Sequence, residues 1–126
     1  MSIKKIVIGL TLSLLLASGV ANAADFYKGL EAAQSGDFKT ALAEWTPLAE
    51  QGHAKAQRSL GVLYAKGLGV LKDHRRAYMW WNLASHNGNK KAVKNKNKIA
   101  KRMTPADISK AQDMSRLCLE SNYADC

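Results

Sequence analysis

Beyond residue 24, apolar residues recur three and four positions apart with polar residues between them, and no stretch alternates as a half-buried strand would. The pattern predicts helices throughout. The first spans Phe26–Gln34, with Phe26, Leu30 and Ala33 on one face. Ser35-Gly36-Asp37 turns the chain, and Asp37 caps a second helix that runs to about Gln51 and ends at Gly52. Its inward stripe is Phe38, Ala41, Leu42, Trp45, Leu48 and Ala49. Pro47 sits inside that pattern without the N–H a helix needs, so a kink is expected near residues 43–47, but not a clean break, because the apolar stripe continues past it.

A third helix begins at Ala54, turns Ala56, Leu60, Leu63 and Tyr64 inward, and carries Gly61 where a neighbour should come close. Gly67-Leu68-Gly69-Val70 forms a loop. Asp73 caps a fourth helix with Ala77, Trp80, Trp81 and Ala84, and Gly88 ends it. A fifth is expected over Asn89–Met103, its apolar side made by Ala92, Val93, Ile99, Ala100 and Met103. Thr104-Pro105-Ala106-Asp107 supplies an N-cap, a first-position Pro and an acid in the first turn. The helix it opens runs to about Glu120 and buries Ile108, Ala111, Met114 or Ser115, and Cys118.

Asp37, Ala41, Trp45, Gly52 and Ala56 return as Asp73, Ala77, Trp81, Gly88 and Ala92, each 36 residues on. A period in the thirties belongs to stacked helix pairs. The expected fold is therefore all-α: an α/α solenoid of about two helix-pair repeats, near residues 25–52 and 53–88, closed by a C-terminal helical cap over 89–126.

One stretch carries a resemblance to a known family. It reads Ala56-x-x-x-Leu60-Gly61-x-x-Tyr64-x-x-Gly67-x-Gly69-Val70-x-x-Asp73-x-x-x-Ala77-x-x-Trp80-Trp81-x-x-Ala84-x-x-x-Gly88. This resembles the Sel-1-like repeat, a branch of the tetratricopeptide-type α/α solenoids. Gly36-Asp37-Phe38 with Ala41, Trp45, Pro47-Leu48-Ala49 and Gly52 looks like the shortened first repeat of exported bacterial members. Met103-Thr104-Pro105 with Cys118 and Cys126 looks like their closing segment. The third unit departs from the pattern: Lys96 stands where a Leu belongs, and Gly-x-Gly does not recur. Ser85 also replaces a usual Ala. The resemblance implies a non-enzymatic scaffold or regulator that binds a protein partner through its concave face, in the cell envelope or at a host interface.

The N-terminus changes the picture of where the chain acts. Lys4 and Lys5, an apolar run over Ile6–Ala17 and the small-x-small signal Ala21-Asn22-Ala23 read as a secretory signal peptide over residues 1–23. The run is shorter than the roughly 20 residues a membrane span needs, so residues 24–126 are expected to be released to the periplasm or secreted, with no transmembrane segment after cleavage. Cys118 and Cys126 are the only cysteines, and in an oxidising compartment they can pair. A metal pair or a redox motif are the weaker alternatives, because there is no Cys-x-x-Cys and no nearby His.

Little points to catalysis. His53 and His86 lie beside helix-ending glycines, His74 follows a cap, and no two histidines share metal-ligand spacing. No nucleophile elbow or phosphate loop is present, so no catalytic residue, metal site or cofactor is expected. Trp45 and Trp81 read as packing residues. Trp80, or Tyr78 beside it, is expected to stay partly exposed. Tyr64, Arg75, Arg76, Tyr78 and Trp80 are the candidate contacts for a protein partner.

The formal charge of +9 includes two charges from Lys4 and Lys5, and much of the rest falls between residues 90 and 102. Lys90, Lys91, Lys94, Lys98, Lys101 and Arg102 could form a basic face for an acidic polymer, an anionic lipid surface or a cell-wall glycan. Their competing reading is a solvated helix surface. With export expected, nucleic acid is not an expected partner.

Overall fold

The computed structural model describes residues 24–126, and the expected signal peptide at 1–23 lies outside them. Among the described residues there are six helices and no strand: α1 Phe26–Gln34, α2 Phe38–Ala49, α3 Ala54–Lys66, α4 His74–His86, α5 Lys90–Ala100 and α6 Pro105–Glu120. Neighbouring helices pack in sequence from α1 to α5, and α6 returns to pack on α4. This is the expected α/α solenoid-type arrangement.

The short connections follow from one piece of backbone chemistry. After α2, His53 N–H donates to Leu48 O and Gly52 N–H to Ala49 O, while Gly52 takes φ +86°. That closes the helix with a left-handed residue and satisfies its last carbonyls. Gly36 and Gly88 hold the equivalent positions after α1 and α4. The residue after each Gly then starts the next helix: Asp37, His53 and Asn89 accept from the N–H groups of Thr40, Ala56 and Asn89's own third neighbour, Ala92. His53 is thus an N-cap through Nδ1, and its ring stacks on Phe26 at 5.4 Å. At the end of α6 Asn122 replaces Gly, with φ 53°, and Tyr123 N–H reaches Cys118 O at 2.7 Å.

The core forms two clusters. One joins Trp45, Ala49, Leu60, Leu63, Met79, Leu83 and Cys118; the other joins Ala77, Trp81, Ala92, Ile99 and Ala111. Several expectations need correction. Helix α1 turns Gly29 and Ala32 inward, with Phe26 and Ala33 partly buried, whereas Leu30 is exposed. Gly29 has no side chain to register in the hydrophobic pattern. By contrast, α2 continues unbroken through Pro47 in its last turn, in keeping with the apolar stripe that runs past it. Helix α5 is shorter than expected, ending at Ala100, and Val93 faces outward.

Gln57, in α3, was not singled out in the sequence, yet it is fully buried. Its Nε2 donates to Ala49 O at 3.0 Å, and its Oε1 accepts from Asn87 Nδ2 at 3.0 Å. Asn87 Nδ2 also donates to Tyr123 Oη at 2.9 Å. One polar chain therefore links the end of α2, the first turn of α3, the end of α4 and the tail. Cys118 and Cys126 are joined in a disulfide that folds this tail back along α6.

Candidate interaction surface

Two tryptophans set the spacing between the helices of each pair. Trp45 Nε1 donates to Phe26 O at 3.0 Å, and Trp81 Nε1 to Arg58 O at 3.0 Å. Each indole lies against a glycine of the preceding helix, Gly29 and Gly61 respectively, where a Cβ would collide with the ring. The two glycines are thus related by 32 residues and the tryptophans by 36, the difference being the longer loop after Lys66.

Each pair then leaves a groove against the helix that follows it. The first lies between the α1/α2 pair and α3, holds about 190 Å³, and is lined by Ala33, Phe38 and Trp45 facing Arg58, Ser59 and Val62. Leu63 and Leu68 complete it. The second lies between α3 and α5 and holds about 420 Å³. Val62, Ala65, Trp81 and Ile99 form its apolar floor. Lys66, Lys98 and Arg102 rim it, with Asn95 between them.

The two grooves are copies of one another. Ala33 and Trp45 in the first correspond to Ala65 and Trp81 in the second, and Ser59, Val62 and Leu63 correspond to Asn95, Lys98 and Ile99. The copy is altered in charge: the first groove carries one cation, Arg58, whereas the second carries Lys66, Lys98 and Arg102, with Lys98 in place of the aliphatic Val62. The second groove has no acidic lining residue.

The six residues of the expected basic face, Lys90, Lys91, Lys94, Lys98, Lys101 and Arg102, are all exposed, and none is among the ion pairs of the described residues. Of them, Lys98 and Arg102 line the groove. Lys96 instead turns back, its Nζ donating to Asn82 Oδ1 at 3.1 Å and lying 5.8 Å from the Tyr78 ring centroid.

The other contact candidates are placed differently from expectation. Trp80 is 3% exposed and Tyr78 is 6% exposed, so neither offers the partly exposed aromatic surface expected of them. The reason is that α4 is covered by α3, α5 and α6, which buries Ala77 through Trp81 on several sides of one helix. Two adjacent tryptophans differ in direction by about 100°, so burying both takes packing on more than one side of the helix. Tyr78 Oη accepts from Gln112 Nε2 at 3.4 Å.

Arg75 pairs with Asp107, Nη2 to Oδ1 at 2.6 Å, and so ties α4 to α6. That guanidinium, followed by the Thr104 hydroxyl, holds the Asp107 carboxyl below the ordinary carboxylate range. Arg76 lies 5.6 Å from the Tyr64 ring centroid and within 3.5 Å of Cys126 O. These side chains thus bind elements of the fold to one another. The sequence signal that could have found the groove was the 36-residue offset carried into α5, which aligns Val62 with Lys98 and Lys66 with Arg102.

Among the described residues, no group of three or more His, Cys, Asp or Glu side chains could hold a metal ion, and no helix is long and apolar enough to cross a membrane. Residues 54–89, which comprise α3, its loop and α4 with the following turn, match the family model of the Sel1 repeat. No curated protein matches the chain.

Proposed function

We propose that this chain, which carries a Sel1 repeat at residues 54–89, is an exported, non-enzymatic module that binds a protein partner and scaffolds or regulates it. Sel1 repeats mediate protein–protein interaction. The observation that carries the reading is that the matched repeat leaves α3 bordered by two grooves while its partner helix α4 is buried. Contact with a partner then falls on the side of α1, α3 and α5. Arg75, Arg76, Tyr64 and Tyr78 would support that side from behind, and Trp80 would pack beneath it.

Export to the periplasm or beyond is supported by the leader-like residues 1–23 and by the paired cysteines, which persist in oxidising compartments. Expression of the full chain in a bacterial host, followed by fractionation and N-terminal sequencing, should give an envelope or secreted product starting near Ala24. A cytosolic product that retains Met1 would overturn the export part.

Affinity capture from the envelope fraction at low and high salt tests the binding part. One dominant protein retained at high salt is the expected result. A second reading, a binder of acidic polymer, anionic lipid or cell-wall glycan, is favoured by the six exposed, unpaired cations of residues 90–102. It requires retention of anionic material that high salt abolishes.

A further inference from the structure

We infer that the groove between α3 and α5 binds an acidic segment of a protein partner, seating one apolar side chain on its floor and placing flanking carboxylates on Lys66, Lys98 and Arg102. The inference deepens the protein-binding reading and rests on it. Two properties of the groove define the occupant. Its floor of Val62, Ala65, Trp81 and Ile99 is apolar and its volume of about 420 Å³ suits a side chain or two. Its rim carries three cations and no acid. A ligand must therefore be amphipathic over a few ångströms, with an apolar centre between anionic flanks.

The groove is more strongly charged than its own copy, which has Arg58 as its one cation. The first groove has Val62 where the second has Lys98, so the fold does not need a cation at that position. Lys94, Lys98 and Lys101 repel one another three and four residues apart, and none of them is in an ion pair among the described residues. A partner's carboxylates supply the missing counter-charge. Charge complementarity of this kind steers encounter and fixes orientation, while an apolar anchor slows release. A polyanion makes no use of the apolar floor. An acyl chain needs enclosure, but Val62 and Ala65 are only partly buried and the rim is exposed.

The test uses the full oxidised chain and three labelled pentapeptides: acetyl-Asp-Glu-Leu-Glu-Asp-amide, the same peptide with serine for leucine, and its amide form with Asn and Gln for the acids. The acidic leucine peptide should bind at low salt. The serine form should bind at least about fivefold more weakly and the amide form at least about tenfold more weakly. The exposed pair Lys98→Glu with Arg102→Glu should weaken the leucine peptide by at least about tenfold, with far-UV circular dichroism unchanged. Equal binding of the serine form overturns the apolar seat, and equal binding of the amide form overturns the charge requirement. Displacement of the peptide by polyphosphate or phosphatidylglycerol vesicles that bind more tightly overturns it in favour of a polymer or a membrane. A captured protein that Lys98→Glu/Arg102→Glu retains undiminished overturns the groove assignment but leaves the protein-binding reading intact. Capture of no protein by either form overturns that reading itself.

Discussion

Replacing Gly61 by Ala should destabilise the protein, although helix propensity alone argues the opposite. Gly61 lies inside α3, where Ala is better than Gly by roughly 1 kcal/mol. The new methyl would meet the Trp81 indole at its Nε1, Cδ1 and Cε2 atoms, well inside contact distance. Trp81 is 5% exposed and lies between two helices, so it can move only by shifting α4. Overpacking of this kind costs about 1–3 kcal/mol. Moving the ring also stretches the 3.0 Å bond from Nε1 to Arg58 O, worth about 1 kcal/mol. The gain and the lost hydrogen bond nearly cancel, which leaves about 2 kcal/mol of net destabilisation.

For a domain of this size that corresponds to a fall in Tm of roughly 10 °C. Thermal and urea unfolding followed by circular dichroism measures it. A double-mutant cycle with Trp81→Phe, which shrinks the ring and removes Nε1, should show that Gly61→Ala costs less in the smaller-ring background. An increase in stability for Gly61→Ala alone, or strict additivity in the cycle, would refute the close-approach argument. Gly29→Ala against Trp45 should repeat the effect, because a Cβ there would lie 2.5 Å from Trp45 Nε1.

Other predictions concern single contacts. Gln57→Leu removes the donor to Ala49 O from a fully buried site and should cost about 1–3 kcal/mol in urea unfolding, despite the apolar replacement. Cys118→Ser with Cys126→Ser opens a short loop, for which chain entropy gives about 2–3 kcal/mol; the melting temperature of the wild type with reductant should approach that of the variant. Asp107 has its carboxyl lowered first by Arg75 and then by Thr104, so its contribution is present at neutral pH and is lost as the pH falls through the acid range. Asp107→Asn should therefore narrow its stability gap to wild type between neutral and strongly acidic pH, as measured by melting at each pH.

The helices were legible because their punctuation is local. Gly-Asp, Gly-His and Gly-Asn dipeptides each end one helix and start the next, and Thr104-Pro105 opens α6 without any tertiary help. What could not be read was whatever depends on three helices meeting. Helix α4 has the composition of a one-sided amphipathic helix, yet α6 returning over it buries Tyr78 and Trp80 as well. Gln57 is polar and carried no sign of burial, because its partners Ala49 O and Asn87 are distant in sequence. The lysines of α5 stood out as a run, but which of them share a groove with Trp81 depends on the packing of α3 against α5.

The polar chain from Ala49 through Gln57 and Asn87 to Tyr123 has a consequence for how the protein comes apart. In an open array of helix pairs each unit touches only its neighbours, so the ends can fray while the middle persists. Here Tyr123, from the last unit, bonds Asn87 at the end of the second and lies over Gly52 at the end of the first. The tail that carries it is pinned by a disulfide to α6. The line of units is thereby joined into a circuit, and no terminal unit can melt without breaking contacts made by the opposite end. Unfolding should then be a single cooperative step, in which the short array behaves as one unit.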